Sequence, residues 1–112
     1  MNLPNAEGAI VERDKIAGYL LNSGHPDNGG KAQFFLTAGF NLERWPDLAS
    51  ALRLVALTFP VTKSVASPHG TKYILDGELT TPSGRNSRVR TVWIIDAGSV
   101  NPRLVTAYPR ET

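Results

Sequence analysis

A chain of 112 residues, 41% hydrophobic and 20% charged, has apolar material for one modest core, so a single domain is expected over 1–112. The absence of cysteine excludes disulfide scaffolds, thiolate nucleophiles and cysteine-ligated zinc, and two histidines with scattered carboxylates are a poor supply for a metal cage. No run approaches the roughly 18 apolar residues that span a bilayer and no secretory leader is visible, so a cytoplasmic protein without cofactors is expected.

In chain order, the opening MNLPNAEGAIVERDKIAGYLLN carries Pro4 and Gly8 as breakers and a short apolar pair, Ile10 and Val11. Behind Asp14, which can cap a first turn, Ile16, Tyr19 and Leu20 fall at helical spacing and predict a helix over 14–22. SGHPDNGG is then a loop by every local signal. Its end invites comparison with a phosphate-binding loop. Gly24 and Gly29 have the right separation, but residue 30 is glycine where that motif needs lysine, and neither Ser nor Thr follows Lys31.

KAQFFLTAGF predicts a second helix over 31–39, with Ala32, Phe35 and Ala38 on one stripe and Gly39 as its stop. Lys31 would occupy the first turn, where the helix dipole disfavours a cation. Either an anionic ligand or a carboxylate holds it, or it is a plain surface lysine. The third helix, 46–58, has Pro46 at its first position, Leu48, Leu52, Val55 and Ala56 as a core stripe, and Pro60 beyond its end, with Trp45 expected in the core.

The last forty residues alternate strand-forming runs with clusters of Pro, Gly, Ser and Asn. Strands are predicted over 72–80 (KYILDGELT), 88–96 (RVRTVWIID) and 103–108 (RLVTAY). Pairing Leu75 with Trp93 sets Tyr73 against Ile95 and Leu79 against Val89 on one apolar face. It also sets Lys72 against Asp96 and Glu78 against Arg90 on the other. In the last strand either Leu104 or Val105 can face the core. If Val105 opposes Trp93, Thr106 and Tyr108 join Arg90 and Glu78 on the polar face.

Helices followed by antiparallel strands define an α+β fold, with helices on one face of a sheet of three to four strands. The polar face is left open and is the expected site. Charge points the same way. From residue 61 onward there are seven basic and four acidic residues, against five and six before it, which suits a polyanion lying across the sheet.

The segments PRLVTAYP and RVRTVWII, with the upstream dipeptide His69-Gly70, resemble the last strands of the bacterial toxin ribonucleases of the barnase, EndoU, colicin and RelE superfold. Over nearly its whole length the chain also resembles a small bacterial domain family of unknown function, in its PNAE start and lysine-led KAxxF helix. The superfold resemblance implies metal-independent RNA cleavage by the substrate's own 2′-hydroxyl on the open sheet face. A proton carrier and donors for the phosphate are then needed. His69, at the sheet rim, is the expected acid–base group. Arg90 is the expected phosphate clamp with Arg88 second, and Thr106 and Tyr108 match the C-terminal motif as donors.

Lys31, Lys72, Arg88 and Glu78 are expected around the substrate, with Glu78 or Lys31 as a second proton carrier. His25 aligns with neither histidine of the EndoU pattern. The expected function is a ribonuclease toxin acting on RNA and restrained by a small acidic antitoxin or immunity protein. The alternative is a non-catalytic protein- or nucleic-acid-binding module using the same face.

Overall fold

The computed structural model describes residues 1–26 and 30–110; residues 27–29, among them the Gly29 of the phosphate-loop comparison, and 111–112 lie outside the described residues. Three helical segments come first: α1 (Arg13–Lys15), which passes directly into a π-helical turn (Ile16–Leu20), then α2 (Lys31–Thr37) and α3 (Trp45–Thr58). Short 3-10 turns occupy Ala6–Gly8 and Leu42–Arg44. Four antiparallel strands follow, β1 (Val61–Ser67), β2 (Gly70–Leu79), β3 (Ser87–Asp96) and β4 (Arg103–Pro109), in one sheet of sequential order. The fold is α+β. None of the described helices is long and apolar enough to cross a membrane.

Local chemistry explains the helices. α3 has Pro46 and Asp47 in its first turn, buries Leu48, Leu52, Val55 and Ala56, and stops at Phe59 ahead of Pro60. α2 buries Ala32 and Phe35 and ends at Ala38, where Gly39 takes a positive φ of 105°. Asp14 lies within α1 rather than before it, and the preceding Glu12 makes no side-chain cap. Trp45 is half-buried and packs against the rim of the core.

The helices cover the sheet face that carries Leu75, Leu79, Val89, Trp93, Leu104 and Ala107, all of them buried. Trp93 is its centre. The indole Nε1 donates to Thr91 Oγ1 at 2.9 Å, and the Thr91 hydroxyl donates to the Leu75 carbonyl at 3.3 Å, so each polar group in the middle of the core has a partner.

Two features of the sheet were not placed by the sequence. β1 supplies the fourth strand of the expected three to four and stands before the three that were located. Nearly all its residues are exposed, so VTKSVAS has no alternation to reveal it. Its turn into β2 depends on Gly70, whose φ of 144° and tight approach to the Ile95 carbonyl leave no room for a Cβ. Register is the second difference. Tyr73 opposes Trp93, Leu75 opposes Thr91, Asp76 opposes Arg90 and Glu78 opposes Arg88, a displacement of two residues from the predicted pairing of Leu75 with Trp93 and Glu78 with Arg90.

A slip of two keeps each side chain on its face and changes only its partners. Gly77 lies against the Phe59 ring at the end of α3, where a Cβ would come within 2.5 Å of Phe59 Cδ2, so this contact seats β2 under the helix. In β4 the pairing shifts between Val92–Thr106 and Trp93–Leu104, leaving Val105 as a bulge and pointing Leu104 to the core.

Truncating Trp93 or Leu52 to alanine should cost about 2–5 kcal/mol in urea unfolding. Thr91→Val should cost about 1–3 kcal/mol although it keeps the volume, because it strands the buried indole N–H. A Thr91→Val protein as stable as wild type would remove that hydrogen bond from the account of the core.

Candidate functional site

The face away from the helices carries Lys72, Ile74, Asp76 and Glu78 from β2, Arg88, Arg90, Val92 and Ile94 from β3, and Arg103, Thr106 and Tyr108 from β4. At the β4 edge the π-helical turn and α2 reach round to it. Lys31 Nζ donates to Tyr19 Oη at 2.7 Å and to Thr106 Oγ1 at 3.1 Å, and lies 5.1 Å and 5.7 Å from the ring centroids of Tyr19 and Tyr108. Among the described residues no carboxylate pairs with it. An open cavity of about 400 Å³, lined by Gly30, Lys31, Tyr108 and Pro109, adjoins the ammonium. Such a cation, held by hydroxyls and ring faces and left with its positive charge, suits an anionic group from outside.

The backbone at this corner is shaped for the contact. Gly30, with a φ of 89°, turns the chain into α2 so that Lys31 opens the helix. The π-helical turn, closed by Leu21 N–H to the Ile16 carbonyl at 2.8 Å, buries Ile16 and Leu20 together while leaving Tyr19 half-buried beside Lys31. Lys15 Nζ stands 5.2 Å from the same ring and His25 meets it edge-on at 5.0 Å. The hydrogen bond from Lys31 holds the Tyr19 hydroxyl below the usual phenol range, against the opposing effect of burial and with help from Thr106 and the charges of Lys31 and Lys15.

Next to this group lies an ion-pair cluster. Arg90 grips both Asp76 oxygens, Nε to Oδ1 at 2.8 Å and a terminal nitrogen to Oδ2 at 3.0 Å, and Arg110 reaches Oδ2 at 3.1 Å. Arg90 holds the Asp76 carboxyl below the usual range against burial, and Arg110 and Arg88 push the same way. Arg90 is itself held protonated, first by Asp76 and then, against some burial, by the Tyr108 hydroxyl. Two guanidiniums on one carboxylate leave a positive charge over.

The structure brings Lys31, Thr106, Tyr108 and Arg90 together, keeps Arg88 and Glu78 next to them on the same face, and separates Lys72 and His69. Arg88 and Glu78 face one another, both exposed, one step beyond Arg90. Lys72 lies opposite Ile94, four residues along β2 from Asp76 and so about 13 Å away. His69 is exposed in the β1–β2 turn, beside the pairing of Gly70 with Asp96, and Asp96 is six residues along β3 from Arg90, about 20 Å. The expected convergence of His69 with Arg90 is therefore corrected, because the turn that holds His69 lies at the opposite end of the sheet.

Arg90 is also no bare clamp, since Asp76 already occupies it. Tyr19, Asp76 and Arg110 belong to the site although the sequence reading assigned them no role there. Tyr19 looked like part of an apolar stripe, and Asp76 was hidden by the two-residue slip. Among the described residues no three of His, Asp and Glu gather to hold a metal ion.

Residues 2–111 match the family described as a domain of unknown function (DUF6883). The chain belongs to this family. No curated protein matches it significantly. The DUF6883 domain is similar in structure to a chain of a contact-dependent growth inhibition toxin–immunity protein complex from Klebsiella pneumoniae 342, with a TM-score of 0.72 and 15% identity over 96% of this chain and 98% of that one. At that identity the likeness is one of fold.

In the DUF6883 domain, Lys31→Met should move Tyr19 ionisation up towards the ordinary phenol value, seen as a shift of phenolate absorbance to higher pH in an alkaline titration. Asp76 is a depressed carboxylate, so its contribution to stability is complete above about pH 4 and is lost as the pH falls through its folded value. On acidification below about pH 4 the urea midpoint of wild type should therefore fall more steeply than that of Asp76→Asn. Parallel curves would show that the Arg90–Asp76 pair contributes nothing net.

Proposed function

We propose that the chain is a ribonuclease toxin domain of a bacterial toxin–immunity system, cleaving RNA without a metal by attack of the 2′-hydroxyl on the adjacent phosphorus. The observation that carries this reading is the convergence of Lys31, Tyr19, Thr106 and Tyr108 beside an open cavity on the polar sheet face. The resemblance of its last strands to the barnase, EndoU, colicin and RelE superfold supports it. So does the fold it shares with a chain of a toxin–immunity complex.

In the proposed reaction a base removes the 2′-hydroxyl proton, a bond forms from O2′ to phosphorus, the bond to O5′ breaks and an acid protonates O5′. The products are a 2′,3′-cyclic phosphate and a 5′-hydroxyl. Lys31 and the Thr106 hydroxyl face the phosphoryl oxygens and stabilise the charge that builds on them. Tyr19, reacting as the phenolate that Lys31 stabilises, accepts the first proton. Tyr108 donates the second, and Arg90, whose guanidinium interacts with its hydroxyl, offsets the charge left behind. Arg90 thus acts through Tyr108 as a positioning residue.

An acidic immunity protein would be drawn to the same face by the charge surplus around Arg90, Arg110 and Arg88. The second reading, a non-catalytic binding module, draws on one observation: Arg90 and Arg110 are already engaged by Asp76, as in a structural ion-pair cluster.

Incubating purified protein with total RNA in EDTA and labelling the product ends decides between them. Cyclic phosphate ends should form, and 2′-O-methylated RNA and DNA should resist. Tyr19→Phe should slow cleavage by about two to four orders of magnitude and Lys31→Met by about two to three. His69→Ala should cut at the wild-type rate. RNA binding without cleavage, or cleavage that stops in EDTA, would overturn the proposal.

A further inference from the structure

A second groove runs from the Lys31 cavity along the outer face of α2. It encloses about 400 Å³, is lined by Gly30, Gln33, Phe34, Ser83, Arg85 and Ser87 among others, and meets the Lys31–Tyr108 cavity at their shared residue, Gly30. Among the described residues, its chain neighbours aside, no atom comes within 4 Å of the place where a Gly30 Cβ would project. We propose that this groove is a nucleotide subsite: it seats the nucleotide next to the phosphate held at Lys31, with its base against Phe34 and Gln33 and its further phosphate at Arg85. The inference rests on the reading of the Lys31 site as an RNA site and adds where the strand continues.

The two walls carry groups that suit a nucleotide. On one wall Phe34 is half-buried and braced edge-on by Phe35 at 5.0 Å, a fixed ring on which a base can stack. Gln33 stands one residue before it. Its amide is spent only on an exposed contact with Thr37 Oγ1 at 3.3 Å, which a base edge can replace. The opposite wall, the β2–β3 loop, presents the hydroxyls of Ser83 and Ser87 and the exposed Arg85, for which no carboxylate partner exists among the described residues. Among the described residues no acidic side chain lines the groove.

This loop is anchored. Buried Thr81 donates its hydroxyl to the Arg85 carbonyl at 2.6 Å, and Ser83 N–H donates to the Ala38 carbonyl at 3.2 Å, tying the loop to the end of α2. Walls held at a fixed separation before a ligand arrives reduce the ordering cost of binding.

The test uses short fluorescent 2′-O-methyl oligoribonucleotides, which bind without being cut. Their affinities are measured by anisotropy for wild type, Phe34→Leu, Phe34→Ala, Gln33→Ala and Arg85→Ala, with circular dichroism and thermal unfolding as controls. Phe34→Leu keeps an apolar group in the core and removes the aromatic face, so it remains informative if Phe34→Ala does not fold. Loss of the stacking ring should weaken binding about 5- to 100-fold and leave an oligonucleotide abasic at that position unaffected. Gln33→Ala should change the ranking of oligonucleotides that differ in that base. Arg85→Ala should weaken all sequences alike and lower the salt slope by about one.

If all these variants bind like wild type while Lys31→Met weakens binding and RNA is cleaved, the groove is no subsite and the Lys31 reading stands alone. If no RNA is cleaved but the groove variants change binding in the pattern above, the catalytic reading falls and the groove stands as a binding site. Absence of any oligonucleotide binding by wild type overturns both.

Discussion

An ammonium group drawn partly out of water needs oxygen atoms around it, and the way Lys31 meets that need ties the two halves of this fold together. Its partners are Tyr19 from the π-helical turn and Thr106 from β4, 12 and 75 residues away in sequence. A carboxylate would have neutralised it. Among the described residues its partners are instead hydroxyls and ring faces, which satisfy its hydrogen bonds and leave its charge, and this keeps the cavity beside Tyr108 attractive to an anion. The same contact acidifies Tyr19, so one interaction both docks the helical edge on the sheet and creates a pair of groups suited to proton transfer and charge stabilisation.

The polar face is bracketed by two bidentate arginine–carboxylate pairs of different character. Arg103 and Asp96, paired at 2.7 Å and 3.0 Å near the start of β4, are about two-fifths exposed and contribute little to stability. Near the other end, Asp76 is only 14% exposed and is shared by Arg90 and Arg110. That cluster sits directly behind Tyr108, whose strand partner is Arg90. Between the two pairs, Ile94 is 8% exposed despite facing away from the helices, flanked in register by Lys72 and Arg103, whose aliphatic stems shield it. The open face is thus a rigid, mostly satisfied surface with its chemistry concentrated at one corner.

That concentration depends on packing on the far side of the sheet. Trp93 and the Thr91 hydroxyl fix the centre of β3, and Phe59 over Gly77 fixes β2 against it. The bulge at Val105 lets Leu104 fill the core while Thr106 and Tyr108 still turn outward. Without that extra residue, β4 would have to give up either its apolar anchor or its two hydroxyls.

Much of this was legible locally. Apolar stripes at Leu48, Leu52 and Val55, the stops at Gly39 and Pro60, and the alternation of RVRTVWII depend on neighbours a few residues apart, so the sequence by itself determined the three helices, the last three strands, the α+β order and the polar face holding Arg90, while the outward turn of Thr106 and Tyr108 waited on the bulge at Val105. Face membership also survives a register slip of two, which is why Arg90 was placed on the polar face while Asp76 was passed over for Glu78 as its partner.

Tertiary structure alone decided the rest. β1 has no periodicity of its own and exists because β2 offers it an edge. The two-residue difference in β2–β3 register appears only in the assembled sheet, since either register keeps each side chain on its face. His69 lies far from Arg90 because a turn joins the ends of strands, away from their middles. Lys31 meets Tyr19 and Thr106 only after the helices have been laid against β4, since contacts between residues so distant in the chain are products of packing and leave no periodic trace in the sequence.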